Sequence, residues 1–193
     1  MIVKKRLDKE TLKILKSGGV GVLKTDTIYG IVGLALNKGV VRRIYSVKKR
    51  NPVKKLIILI NSIKDLDIFS VRINSGIKKQ LDSLWPGKVS VELPCLSKKF
   101  NYLHHGTKLL AFRLPQKKSL VNLLKKTGPL VAPSANPEGK TPAEDIKQAI
   151  LYFGKKVDFY IDSGKVSGKS STLVVFKNNR LEVVRQGAVK TKH

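Results

Sequence analysis

The sequence predicts an α/β domain in which helices flank a central, twisted mixed sheet. Short apolar runs of strand length, such as residues 56–60, alternate along the chain with segments of helical periodicity, such as Val40, Ile44 and Val47. Strands that alternate with helices are typical of a sheet covered on its faces by helices. The chain has 193 residues, 41% of them hydrophobic, with no internal repeat or linker. We therefore expect a single domain over residues 1–193.

The predicted helices are marked by their caps and by the spacing of their apolar residues. The first follows Asp8, which suits an N-cap, and stops before Gly18 and Gly19. The last is expected to begin just after Pro142, because proline is favoured in the first turn of a helix. In chain order, the predicted helices cover residues 8–16, 39–47, 75–84, 119–126 and 143–153.

The predicted strands are short apolar runs bounded by turn residues. Residues 56–60 are apolar throughout, which is typical of a strand buried on both faces. Residues 94–108 are predicted to form a polar loop, and residues 177–180 a hairpin turn. In chain order, the predicted strands cover residues 20–23, 31–36, 56–60, 89–93, 109–114, 130–132, 157–161, 172–176 and 181–184.

The chain is strongly basic, with 39 Lys and Arg against 13 Asp and Glu and a formal charge of +26. Such a charge favours a polyanionic partner, most often nucleic acid. The alternative is a solvated lysine-rich surface, since most of the cations are lysines scattered over nearly every segment. The eight arginines are more selective, because a guanidinium grips phosphate or carboxylate with a rigid fork.

Several classes of protein are excluded by what the sequence lacks. No apolar run approaches the roughly 18 residues of a membrane span, and residues 1–10 lack the apolar stretch of a signal peptide. We therefore expect a soluble, cytoplasmic protein with no membrane partner. The single cysteine, Cys95, excludes an internal disulfide and a cysteine-rich zinc site. His104 and His105 have no acidic or cysteine ligand at metal spacing, so we assign them to a solvated loop.

Four polar loops lie where α/β sheets gather their ligands, at the ends of strands and helices. They are the Thr-containing residues 24–30, the basic residues 48–54, the small polar residues 130–136 and the Gly- and Ser-rich residues 162–172. Taken singly, each is also explained as an ordinary turn or helix cap. A phosphate-binding P-loop is excluded for the last one, because its glycines are spaced wrongly and a strand, not a helix, follows.

Taken in order, these loops and the strands between them carry eight short motifs. They are Thr25-Asp26-Thr27-Ile28-Tyr29-Gly30, Lys48-Lys49-Arg50, Lys54 before the apolar run, Trp85-Pro86-Gly87, Ala111-Phe112-Arg113-Leu114-Pro115, Ala132-Pro133-Ser134-Ala135-Asn136, Ser170-Ser171-Thr172 and Arg185-Gln186-Gly187. In this order and spacing, from about residue 18 to residue 187, the chain resembles the YrdC/TsaC family of threonylcarbamoyl-AMP synthases in its short, single-domain form.

The resemblance implies a twisted sheet around a basic, concave cavity and a defined reaction. L-threonine, bicarbonate or CO2, and ATP would give threonylcarbamoyl-AMP and pyrophosphate, without a protein nucleophile. It implies that Mg²⁺ is carried by the phosphates of ATP and not by a protein metal site. It also implies further partners, namely threonylcarbamoyl-transferase proteins and the tRNA that is finally modified.

The resemblance also assigns residues to two sides of one site. Its expected ATP-binding residues are Lys48, Arg50, Lys54, Ser134, Asn136 and Arg185. Its expected L-threonine-binding residues are Thr25, Thr27, Arg113, Ala132 and Ser171. Arg113 is expected to pair with the threonine carboxylate through two parallel hydrogen bonds.

Four residues depart from the family pattern. Lys24, Asn51 and Lys55 stand where proline, or at the last position proline or glycine, is usual, which bears on loop rigidity because proline fixes φ. Glu138 replaces a serine and adds a carboxylate near the expected nucleotide side.

Two other functions remain open from the sequence. One is a non-catalytic basic RNA-binding protein, such as a ribosome or tRNA chaperone, whose affinity would fall steeply with salt. The other is a carbamoyl-transfer enzyme acting on other carbamates, whose usual additional domains exceed this length.

Overall fold

Ten strands form one mixed sheet in the computed structural model, which describes residues 1–177 and 180–190. The strands lie in the order β1-β8-β2-β3-β7-β4-β6-β5-β9-β10. Their bounds are β1 (Ile2–Lys4), β2 (Gly21–Lys24), β3 (Tyr29–Leu34), β4 (Ile57–Leu59), β5 (Val89–Pro94), β6 (Leu109–Arg113), β7 (Leu130–Val131), β8 (Phe159–Ile161), β9 (Thr172–Lys177) and β10 (Arg180–Arg185).

Helices lie between the strands, as the alternating pattern predicts. The α-helices are α1 (Lys9–Lys16), α2 (Lys38–Lys48), α3 (Ser75–Leu84), α4 (Asn101–His104), α5 (Lys118–Thr127) and α6 (Ile146–Phe153). Short 3₁₀ helices cover Ile63–Phe69, Lys98–Phe100 and Gly154–Lys156. The sheet contains both parallel pairs, such as β4 with β6, and antiparallel pairs, such as β2 with β3, so the predicted mixed α/β sheet is confirmed.

Two apolar clusters hold the helices against the sheet. Ile58 belongs to one cluster and its neighbour Leu59 to the other, and both are fully buried. Successive residues of a strand point to opposite faces, so β4 is buried on both sides, as its apolar run predicts. A central strand buried in this way fixes the positions of its two neighbours, β6, which ends at Arg113, and β7, which leads into the polar loop of residues 130–136.

Some predicted elements are wrong. Helix α6 begins at Ile146 and not near Ala143, because Asp145 is its N-cap and accepts a hydrogen bond from the backbone N of Gln148 at 2.8 Å. Strand β1 and the 3₁₀ helix Ile63–Phe69 are additional elements. The predicted hairpin turn includes residues outside the described part of the chain, although β9 and β10 do pair as antiparallel neighbours.

The segment 94–108 is not the solvated polar loop that its sequence suggests. It contains α4 and a 3₁₀ helix, and it buries Phe100 and Leu103 in the core. His104 is buried as well, and its Nδ1 accepts a hydrogen bond from the backbone N of Gly106 at 3.2 Å. His105 stacks edge-on against the ring of Tyr45, with ring centroids 5.0 Å apart. Both imidazoles therefore have structural roles.

The C-terminal end of α2 is fastened to the loop that follows β7. The side chain of Lys48, the last residue of α2, is fully buried, and its Nζ donates to the backbone carbonyls of Ser134 and Asn136. The backbone N of Glu138 donates in return to the Lys48 carbonyl at 2.8 Å. Burial, together with the charge of Arg50 and against the opposing effect of Glu138, lowers the pKa of Lys48 to about 7.

Lys48→Met is expected to lower the free energy of unfolding by about 2–4 kcal/mol, because two buried carbonyls lose their donor. The loss is expected to grow between about pH 7 and pH 9. In this range the native state binds fewer protons at Lys48 than the unfolded chain does, so the wild type gains stability as pH rises. Urea unfolding of both proteins at several pH values measures this difference.

The matched control for this measurement is Lys49→Met, at the exposed neighbouring position. Its effect on unfolding should be small and should not vary with pH. A Lys48→Met difference that stays constant with pH would contradict the depressed pKa of the buried ammonium.

Candidate active site

The polar loops meet around one cavity of about 570 Å³. Nine of the eleven predicted site residues line it, and the other two lie behind its wall. The nine are Thr25, Thr27, Arg50, Lys54, Arg113, Ala132, Ser134, Ser171 and Arg185. The loops come together because backbone hydrogen bonds join β3 to the loop after β7, including Ile31 N to Pro133 O at 2.9 Å and Ala135 N to Tyr29 O at 2.9 Å.

The Thr loop between β2 and β3 is a tight turn that presents one hydroxyl to the cavity. The hydroxyl of Thr25 donates to the Ile28 carbonyl at 2.7 Å, and the backbone N of Thr27 donates to that same hydroxyl at 3.2 Å. Thr25 therefore shapes the turn. The hydroxyl of Thr27 lies 3.3 Å from an Arg113 amino group, which donates to it. Thr27 thus links the turn to the arginine of β6.

Arg113 is the deepest cation of the cavity, with its side chain 3% exposed. One amino group lies 2.9 Å from a carboxylate oxygen of Asp26, whose side chain is almost as buried. Its Nε and both Asp26 oxygens have no geometrically good hydrogen bond. Burial lowers the pKa of Arg113, Asp26 opposes that shift, and Arg185 adds to it. Arg113 thus keeps an unused donor beside the cavity, and donors of this kind suit a carboxylate.

The serine loop before β9 is held by two neighbouring segments. The hydroxyls of Ser171 and Ser90 are 2.8 Å apart, and an Arg185 amino group donates to the Ser171 carbonyl at 2.9 Å. Gly187 allows the C-terminal segment to lie this close, because a methyl group at its Cα would sit 2.3 Å from the Ser170 carbonyl. The loop therefore fixes Arg185 and Ser171 together on the cavity wall.

Besides Arg113, the cations Arg50, Lys54, Lys55 and Arg185 line the cavity. Arg50 donates from Nε to the Lys54 carbonyl at 2.9 Å and from an amino group to the Lys55 carbonyl at 3.1 Å, which folds its own loop. Burial lowers the pKa values of Arg50 and of Arg185, and Arg50 lowers that of Arg185 further. The effect of Arg50 on Arg185 places two guanidinium charges close to each other in the lining of the cavity.

The structure corrects the positions expected for Lys48 and Asn136. Lys48 does not face the cavity, since its Nζ is buried against two backbone carbonyls of the Ser134 loop. The Asn136 amide donates to the carbonyls of Pro137 at 2.9 Å and Lys140 at 2.7 Å, while its Oδ1 is buried without a partner. Both residues support the loop from behind, because its backbone carbonyls need donors once they are buried. Ser134 alone presents that loop's side-chain oxygen to the cavity.

Three acidic residues near the cavity were not assigned a role from the sequence. Asp26 pairs with Arg113, Glu92 with Lys55 at 3.2 Å, and Glu138 with Lys54. A signal for Glu92 exists in the strand pattern, because Glu92 and Ser90 share one face of β5 while the alternate residues are apolar core. The partners themselves cannot be read from the sequence, since each pair joins distant segments.

No group of three or more His, Cys, Asp or Glu residues within residues 1–177 and 180–190 is arranged to hold a metal ion. Within the same ranges, no helix has the length and apolar character needed to cross a membrane.

Comparison with known proteins gives the chain close relatives over nearly its full length. A curated "Putative threonylcarbamoyl-AMP synthase" of Mycobacterium tuberculosis is 30% identical over 182 residues, which cover 92% of this chain and 82% of that protein. One of the same name from Methanocaldococcus jannaschii is 30% identical over 190 residues, covering 94% and 87%.

Solved structures share the fold. Pyrococcus abyssi Sua5 complexed with L-threonine superposes with a TM-score of 0.85 at 26% identity, covering 96% of this chain and 57% of that longer chain. E. coli YciO has a TM-score of 0.83 at 20% identity, covering 98% and 95%.

A family model described as Sua5_yciO_yrdC, telomere recombination, matches residues 13–187. The match includes every loop that lines the cavity. The chain belongs to the Sua5/YciO/YrdC family.

Proposed function

We propose that this chain is an L-threonylcarbamoyladenylate synthase, a nucleotidyltransferase that joins threonine, bicarbonate or CO2, and the AMP part of ATP. The observation that carries the proposal is a single cavity that contains both a buried arginine, suited to a carboxylate, and further cations, suited to phosphates. A buried arginine lies beside Thr27 at its threonine side, and the cations Arg50, Lys54 and Arg185 also line it. The relatives named threonylcarbamoyl-AMP synthase, and the Sua5 structure with L-threonine, support the same activity.

The reaction needs positioning more than it needs a protein nucleophile. The deprotonated threonine amine adds to CO2 and releases a proton to solvent, which gives a carbamate anion. One carbamate oxygen then attacks the α-phosphorus of ATP. The bond from that phosphorus to the β-phosphate bridging oxygen breaks, and pyrophosphate leaves with the electron pair. Holding the two reactants in line and neutralising the phosphates are the contributions expected of the protein. Cys95 has no part in this proposal, since it is buried and burial raises its thiol pKa.

On the threonine side, Arg113 would bind the amino acid carboxylate. Its free Nε and its amino groups are the donors, and the Asp26 carboxylate holds the guanidinium in place from one side. Thr27, Ser171 and the backbone of Ala132 would contact the rest of the amino acid.

On the nucleotide side, Arg50, Lys54 and Arg185 would face the phosphates and Ser134 would contact the nucleotide. Fixed cations stabilise the charge that develops on the departing pyrophosphate. We propose that Mg²⁺ arrives with ATP as part of the substrate, and the three acidic side chains near the cavity are each already opposed to a cation. Lys48 and Asn136 would act by supporting the loop that carries Ser134.

The product is a reactive mixed anhydride, so an acceptor must consume it. We propose that threonylcarbamoyl-transferase proteins and a tRNA fill this role, with the protein acting in the cytoplasm. The lysine-rich surface would attract such an anionic partner through long-range electrostatics.

The first prediction concerns turnover. The protein incubated with MgATP, threonine and bicarbonate should release pyrophosphate, and release should require threonine. The measurement is a coupled pyrophosphate assay with mass-spectrometric detection of threonylcarbamoyl-AMP. Pyrophosphate release that does not depend on threonine, or tight RNA binding with no turnover, would contradict the proposal.

The second prediction separates the two sides of the cavity. Arg113→Lys should raise the KM for threonine at least about 30-fold, because lysine cannot copy the fork that grips a carboxylate. The KM for ATP should change far less. Arg185→Lys should have the opposite preference, raising the KM for ATP more than that for threonine.

Steady-state kinetics with each substrate varied in turn measures both constants. Arg72→Lys is the matched control, because Arg72 is an exposed arginine that pairs with Asp67 away from the cavity. Equal effects of Arg113→Lys on both KM values would refute the division of the site.

A further inference from the structure

Glu138 joins the two loops that carry the nucleotide side of the cavity. One carboxylate oxygen accepts a hydrogen bond from the backbone N of Asn51 at 2.6 Å, and the other pairs with the Nζ of Lys54. The backbone N of Glu138 donates to the Lys48 carbonyl at 2.8 Å. The loop after β7 is therefore fastened to the loop after α2 by backbone and side chain of one residue.

The Glu138 carboxylate lies among cations that the proposed function assigns to phosphates. Its hydrogen bonds to Lys54 and to the Asn51 backbone lower its pKa, so it is ionised throughout the neutral range. Its negative charge also favours the protonated forms of Arg50 and Lys48. One anion of the protein thus offsets part of the positive charge at the expected phosphate position.

The ion pair between Lys54 and Glu138 is easily exchanged. The Lys54 side chain is 59% exposed and that of Glu138 is 26% exposed, so water screens their attraction. A triphosphate carries several negative charges, so it offers the same ammonium more negative charge than one carboxylate does. The two anions also repel each other, so a phosphate bound at Lys54 disfavours a carboxylate on the same ammonium.

We propose that Glu138 is an internal counter-ion that holds Lys54 in the empty enzyme and gives it up to the phosphates of ATP. Glu138 is a positioning residue in this scheme, and the Asn51 backbone N keeps its carboxylate on the loop after Lys54 has left. The inference rests on the proposed function, because it concerns the nucleotide side of that site. It adds a residue that competes with the nucleotide and so sets its affinity.

The decisive variant is Glu138→Gln. Its amide oxygen still accepts from the Asn51 backbone N, so the loop keeps this anchor while the negative charge is removed. We expect the Kd for MgATP to fall about 3- to 10-fold, with a steeper dependence on salt, because one more unopposed cation meets the phosphates. The Kd for threonine should not change. Isothermal titration calorimetry measures both.

A double-mutant cycle tests whether Lys54 carries the effect. Lys54→Met should weaken MgATP binding on its own. In the Lys54→Met background, Glu138→Gln should change the Kd for MgATP by less than about twofold, because the exchanging ammonium is gone. Glu144→Gln is the matched control, since Glu144 forms an exposed pair with Lys165, which does not line the cavity, whereas the partner of Glu138, Lys54, does. It should leave the Kd for MgATP unchanged.

Unchanged or weaker MgATP binding by Glu138→Gln would overturn the inference, as would a full gain that persists in the Lys54→Met background. Inorganic triphosphate is the second probe, because its binding does not depend on adenosine or threonine. If the wild type binds triphosphate, and Glu138→Gln binds it more tightly through Lys54, the counter-ion role holds even if threonine-dependent turnover fails. Loss of turnover alone would therefore contradict the proposed function and leave this inference standing.

Discussion

The nucleotide side of the cavity depends on the buried ammonium of Lys48. Burying a lysine amine lowers the stability of the folded state unless its N–H groups are hydrogen-bonded. Here they donate to the backbone carbonyls of Ser134 and Asn136. The contact couples the end of α2 to the loop after β7. Arg50 and Ser134, which approach the cavity from these two segments, are thereby held in one arrangement. The residue that looks most like a phosphate ligand in the sequence acts behind the wall of the site.

The chain has few acidic residues, and several of them pair with cations that line the cavity. Three of the 13 acids each pair with a cation that lines the cavity. The pairs differ in burial, from Arg113 with Asp26, which is nearly inaccessible, to Lys54 with Glu138 at the surface. A buried pair is fixed, because breaking it leaves an unpaired charge, whereas an exposed pair exchanges readily. The cations that line the cavity are thus held with different firmness: Arg113 belongs to a buried pair and Lys54 to an exposed one.

The cations that give the charge of +26 accordingly fall into two sets. A small set, comprising Arg50, Lys54, Arg113 and Arg185, lies in one cavity, where burial and mutual repulsion make an anionic ligand favourable. Most of the other cations are lysines distributed over the rest of the chain. Composition alone gives the total charge of all these cations, and that total favours nucleic acid as a binding partner. The placement of the arginines is what favours a triphosphate and a carboxylate within one site.

The sequence by itself determined the α/β class, most strands and helices, and the set of loops that belong together. These follow from local apolar periodicity, caps and short motifs, as the match of α3 to residues 75–84 illustrates. Tertiary structure decided what sequence periodicity does not encode. It buried Lys48 and His104, turned a polar-looking segment into α4, and paired Asp26, Glu92 and Glu138 with their cations. Each depends on contacts between segments distant in the chain, where packing outweighs local preference.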